Sequence, residues 1–69
     1  MITKYYNRQR REIVITEMDS WHLISAYNYF NRKLIELAEK QANDNKLLRV
    51  MLLVSALRNE IDRRGLFDY

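Results

Sequence analysis

His22 is the single histidine of the 69-residue chain and stands three residues after Asp19. An imidazole near a carboxylate is the beginning of a general-base pair. Nothing completes it here, since no Ser stands with this pair in a recognisable nucleophile arrangement and the chain has no Cys. A metal held by His and Cys at familiar spacing needs several such ligands, and one His does not supply them. Gly occurs once, at Gly65, so no glycine-rich loop can cradle a phosphate. Asp19 has a simpler use as the cap of a helix that starts directly after it. His22 then sits in the first helical turn, solvated or donating to a nearby group. The chain is therefore expected to be non-enzymatic, with no catalytic residue, no metal and no cofactor.

The chemistry left is that of binding. Residues 1–11 carry Lys4, Arg8, Arg10 and Arg11 with no acid, interleaved with Tyr5 and Tyr6, whereas from Glu12 onward eight basic residues meet nine acidic ones. The formal charge of +3 thus belongs to the N-terminal segment. Cations beside aromatic rings can neutralise phosphates while a ring stacks on a base, which makes nucleic acid a candidate partner. Such contacts attract without reading sequence, and an acidic protein surface suits the same charges equally well.

The elements that position these residues read as mainly α with a minor β part. No Pro, and no Gly before Gly65, marks a linker, so residues 1–69 form one domain. Its parts are an extended basic segment over 1–18, helix one over 19–42, helix two over 45–64 and a tail over 65–69. A strand is expected near 12–16, where Ile13, Val14 and Ile15 are β-branched; Ile2 to Tyr6 is a weaker run. The two form a hairpin with 7–11 as its loop, or the segment is a single strand or a free arm. The loop lacks the Gly that most short hairpins use.

Met18 is placed to pack on Leu23 as a hydrophobic staple at the start of helix one. Leu23, Tyr27, Phe30, Leu34 and Leu37 then recur at spacings of four and three, flanked by Ile24, Ile35 and Ala38. The run Ala42-Asn43-Asp44-Asn45 turns the chain, with Asp44 or Asn45 as the next cap. So short a connection favours an antiparallel helical hairpin. Helix two aligns Leu47, Val50, Met51, Val54, Leu57 and Ile61. It ends where Arg63-Arg64 complements the helix dipole, Gly65 suits a left-handed C-terminal turn and Leu66 can fold back onto Ile61.

Away from this shared face, Trp21 lies at the edge of the helix-one stripe and Tyr29 nearly opposite its centre, at 100° per residue. Leu48, Leu52 and Ala56 make a second apolar line on helix two. Either Ile13, Val14 and Ile15 cover one of these lines, or it meets another copy or another protein. A chain of this size buries only about 60% of the surface its unfolded form exposes. Without disulfides, association is the remaining way to add burial, so a homo-oligomer is expected. Trp21, Tyr29, Leu48 and Leu52 are the expected partner-binding residues, and Lys4, Arg8, Arg10 and Arg11 the expected contacts to phosphate or an acidic surface.

A strand followed by two helices resembles the ribbon-helix-helix repressors, whose dimers place a shared ribbon in the major groove. Their first helix is shorter, and their turn typically holds a Gly where this chain has Asn43-Asp44-Asn45. Over 18–64, Met18, His22-Leu23 and Ala26, with Leu57, Glu60 and Arg63 or Arg64 near the end, resemble small bacteriophage-encoded helical proteins of unassigned role. Those often read Met-x-x-x-His-Leu-x-Asn-Ala at the start of the first helix, where this chain has Ser25 before Ala26. The resemblance carries over no functional residue. It implies a compact protein that binds and redirects or inhibits a host macromolecule, here a bacterial defence or metabolic protein, and the absence of Cys makes the host's cytoplasm the expected compartment. The alternative is a dimeric DNA-binding regulator acting through its basic segment. No apolar run approaches the roughly 18 residues that span a bilayer, and Lys4 and Tyr5 stand where a signal peptide has its apolar stretch, so no membrane is expected.

Overall fold

A computed structural model describes residues 2–40 and 44–66. The chain runs through β1 (Lys4–Tyr6), β2 (Glu12–Val14), a single 3-10 turn (Ile15–Glu17), α1 (Ser20–Glu39) and α2 (Asp44–Arg64). It is mainly helical, with a two-stranded antiparallel hairpin ahead of a helix pair. Ala42 and Asn43, assigned above to helix one and its turn, lie outside the described residues, as do Phe67, Asp68 and Tyr69 of the tail.

The hairpin forms without a loop glycine. Asn7 accepts the amides of Gln9 and Arg11 on its Oδ1, at 2.9 and 3.0 Å, and its carbonyl accepts Arg10 N–H at 2.9 Å. Arg10 then takes the left-handed conformation, φ 61°, that closes a three-residue loop. The register pairs Lys4 with Val14, Tyr5 with Ile13 and Tyr6 with Glu12. β2 is shorter than the expected 12–16, because Ile15, whose N–H makes the last cross-strand bond, to Thr3 C=O, already opens the 3-10 turn and buries its side chain. The ribbon is therefore completed within one chain, whereas ribbon-helix-helix proteins complete theirs with a second.

Asp19 caps α1, accepting His22 N–H at 2.8 Å, and Met18 packs against the cluster that holds Leu23. α1 ends at Glu39 with Lys40 as its C-cap. Asp44 is the first residue of α2 and not its cap, and supplies the negative charge favoured in a first turn. At the other end Gly65 adopts φ 69° and Leu66 returns to the core, as the sequence indicates.

The core is small and sits at one end of the helix pair. Ile15, Leu23, Leu57 and Ile61 form its buried cluster, with Ile2, Tyr5, Met18, Phe30, Leu53 and Ala56 among the side chains packed around it. Burying each of the three fully enclosed aliphatics, Leu23, Leu57 and Ile61, is worth about 2 kcal/mol. The longest dimension, 33 Å, is close to the roughly 30 Å of a 20-residue helix, so the helices lie side by side. Since Leu23 near the start of α1 meets Leu57 and Ile61 near the end of α2, they run antiparallel.

The far end of the pair is less well covered. Leu34, Leu37, Leu47 and Val50 are only half-buried, and Ile35 and Met51, read above as flanking or core positions, are exposed. Ala56 departs from its reading in the opposite direction: it packs against the core and does not continue the outer line of Leu48 and Leu52.

Candidate protein-binding surfaces

The hairpin stands over one flank of α1, and the two meet through long side chains. Tyr5 sets its ring edge-on to Phe30 at 5.5 Å. Phe30 in turn meets the ring of Tyr29 edge-on at 5.1 Å, a geometry favoured by the ring quadrupoles. Arg8, from the hairpin loop, donates to the Tyr29 hydroxyl at 3.0 Å. Partial burial raises the Tyr5 hydroxyl above the ordinary tyrosine range.

Between these contacts runs an open groove of about 820 Å³. Its apolar surface includes Ile13, Val14, Met18 and Ala26, its tyrosines are Tyr5, Tyr6 and Tyr29, Arg8 contributes a cation, and Glu17 and Asp19 contribute acids. His22 Nδ1 lies 3.3 Å from Asp19 Oδ2 on the exposed rim. Among the described residues no three His, Cys, Asp or Glu side chains gather as metal ligands.

A second surface lies on α2, where Leu48 and Leu52 are 53% and 50% exposed, with Met51 beside them. Ile15 joins the buried cluster, against which Ala56 also packs, whereas Leu48 and Leu52 stay outside that cover.

The expected partner-binding residues are thus not one site. Tyr29 belongs to the groove; Leu48 and Leu52 belong to α2, two to three turns from the buried end. Trp21 is 78% exposed at the start of α1 and lines neither surface. The four cations are divided as well. Lys4 pairs with Glu12 across the strands at 2.7 Å, which raises its pKa, and Arg8 is engaged with Tyr29. Arg10 and Arg11 are exposed, and neither makes a side-chain hydrogen bond among the described residues.

A buried polar clasp is not legible in the sequence. Glu60 is enclosed at the end of α2 and takes Arg63 Nε at 2.8 Å and Arg64 Nε at 2.7 Å. Hydrogen bonds from Arg63 and then Arg64 hold its carboxyl at about 2. Arg64 reaches on to the carbonyls of Ile15 and Thr16, at 3.4 and 3.2 Å, and to Ser20 Oγ at 3.4 Å. It ties the hairpin's exit to the end of α2. The spacing Glu60, Arg63, Arg64 puts three charges on one helical flank, but only the position of the 3-10 turn shows that Arg64 faces inward.

Comparison with protein-family models, with curated proteins and with solved structures finds no match for this chain. Among the described residues no helix is long and apolar enough to cross a membrane.

Proposed function

We propose that the chain is a non-enzymatic protein-binding module whose target docks on the outer line of α2. The observation that carries this reading is the exposure of Leu48, Met51 and Leu52 together, at the end of the helix pair that the hairpin leaves uncovered. Adjacent large apolar side chains on a helix are a recurrent anchor for a partner's groove or helix. The resemblance to phage-encoded proteins supports a bacterial host protein of defence or metabolism as the target, with inhibition or redirection as the effect.

A DNA-binding regulator is the less supported reading, because two of its four cations are engaged within the fold. The test is capture from a bacterial lysate by the parent chain and by Leu48→Glu/Leu52→Glu. Both positions are half-exposed, so the variant keeps the parent's helical circular dichroism and loses the captured protein. Equal capture by both chains removes α2 as the docking face. Salt-dependent retention on duplex DNA with no protein captured favours the regulator.

A further inference from the structure

The outer edge of β2 is open. Asn7 and Arg11, and Thr3 and Ile15, are joined by backbone hydrogen bonds across the hairpin. In an antiparallel ladder such pairs alternate with pairs whose amides and carbonyls point outward. The intervening residues Glu12 and Val14 therefore direct Glu12 N–H, Glu12 C=O and Val14 N–H away from β1, beside the groove over α1. Among the described residues no hydrogen bond closes this edge.

The charges flanking β2 say what fits it. Arg10 and Arg11 precede the strand, Glu17 follows it, and all three are exposed. A second β2 running antiparallel brings the end of each strand that carries Arg10 and Arg11 to the end of the other that leads into Glu17, twice over, as a two-fold axis requires. A parallel copy would set like charges together. The edge of β1 has no such pattern, since residues 1–11 contain no acid and Lys4 guards the strand.

We infer that this chain forms a two-fold dimer by edge-to-edge pairing of β2 about Ile13, joining two hairpins into one four-stranded sheet. The two Ile13 residues then face each other as a non-hydrogen-bonded pair, with Cα atoms about 4.5 Å apart, and each new strand lies along the other copy's groove. The surface is independent of the α2 line and leaves it free.

Sedimentation equilibrium of the full chain over a dilution series tests the pairing. The parent shifts from 8.5 kDa toward twice that mass as concentration rises, and added salt opposes the shift because the charges are exposed. Arg10→Glu/Arg11→Glu and, separately, Glu17→Arg each stay monomeric, whereas their equimolar mixture dimerises, since both charge contacts are restored only in the mixed pair. The chain has no Cys, so Ile13→Cys also reports directly. It cross-links to a dimer on oxidation, because the expected Cα separation falls within the roughly 4.4–6.8 Å a disulfide spans, while Asp62→Cys does not. A parent that remains at 8.5 kDa throughout overturns the inference. So does a mixture of the two charge variants that stays monomeric, and so does a dimer abolished by Leu52→Glu while Ile13→Cys fails to cross-link.

Discussion

Glu60 is the residue whose surroundings differ most from what its type suggests. A carboxylate enclosed in a small fold persists because two guanidinium groups meet it, and leaving it unpaired would cost several kcal/mol. Its pKa of about 2, against an ordinary 4.5, fixes the sign of its contribution. A group with a depressed folded-state pKa adds stability above its unfolded value, and that stability drains as pH falls through 4.5 toward 2. The melting temperature of the parent should therefore drop between about pH 5 and pH 2. Glu60→Gln, which keeps the volume and loses the charge, should cost about 2 kcal/mol at neutral pH and flatten that acid limb. Parallel pH profiles for the two chains would remove Glu60 as the source. The sequence shows the three charges at helical spacing but not their depth. Arg63 and Arg64 at a helix end satisfy the dipole rule equally well from solvent, and only the fold distinguishes exposed Arg63 from half-buried Arg64.

At the scale of elements, the hairpin loop shows how a local rule is met by unexpected residues. A three-residue loop needs a left-handed residue before the second strand, and glycine is the usual one. Here Arg10 accepts that conformation at φ 61°, and the Asn7 side chain offsets the cost by holding two loop amides. At concentrations where the chain is monomeric, Arg10→Gly should then stabilise the fold by roughly 0.5 to 1 kcal/mol, a rise of several degrees in melting temperature for a domain of this size. A lower melting temperature would mean that Arg10 makes a compensating contact. Strands and helices are legible in this sequence wherever their signals are local: the β-branched run at Ile13, the Asp19 cap, the Gly65 exit. Assignment to faces is less secure. Met51 falls on the core side of a helical projection and Ala56 on the outer side, yet their burial is reversed. A projection treats each helix as a cylinder with one partner, whereas the hairpin covers only the end near Leu57 and so decides which flank of α2 is buried.

For the molecule as a whole, uneven covering of the helix pair links stability to binding. The two helices share one antiparallel face, but the third layer reaches only one end of it. The apolar residues left over on α2, and Tyr29 on α1, are legible in the sequence, but their division into separate surfaces is not, because it depends on where the hairpin lies. Local opening free energies follow buried contacts, so amide exchange should be graded along the helices. Amides around Leu23 on α1 and from Leu57 to Ile61 on α2 should exchange only on global unfolding. Those from Leu34 to Glu39 and in the first turns of α2 should exchange through cheaper local opening. A docked partner supplies the missing layer, so it should slow exchange most around Leu48 and Leu52 and leave the buried end almost unchanged. Pairing through β2 should instead slow the amides of Glu12 and Val14 without altering the far end of the helices. Hydrogen exchange read at single amides, for the free chain at low and high concentration and with a captured partner, separates these patterns. Uniform protection along both helices of the free chain would show that the far end is as firmly held as the core, and would leave the outer line of α2 without the uncovered setting that makes it a docking surface.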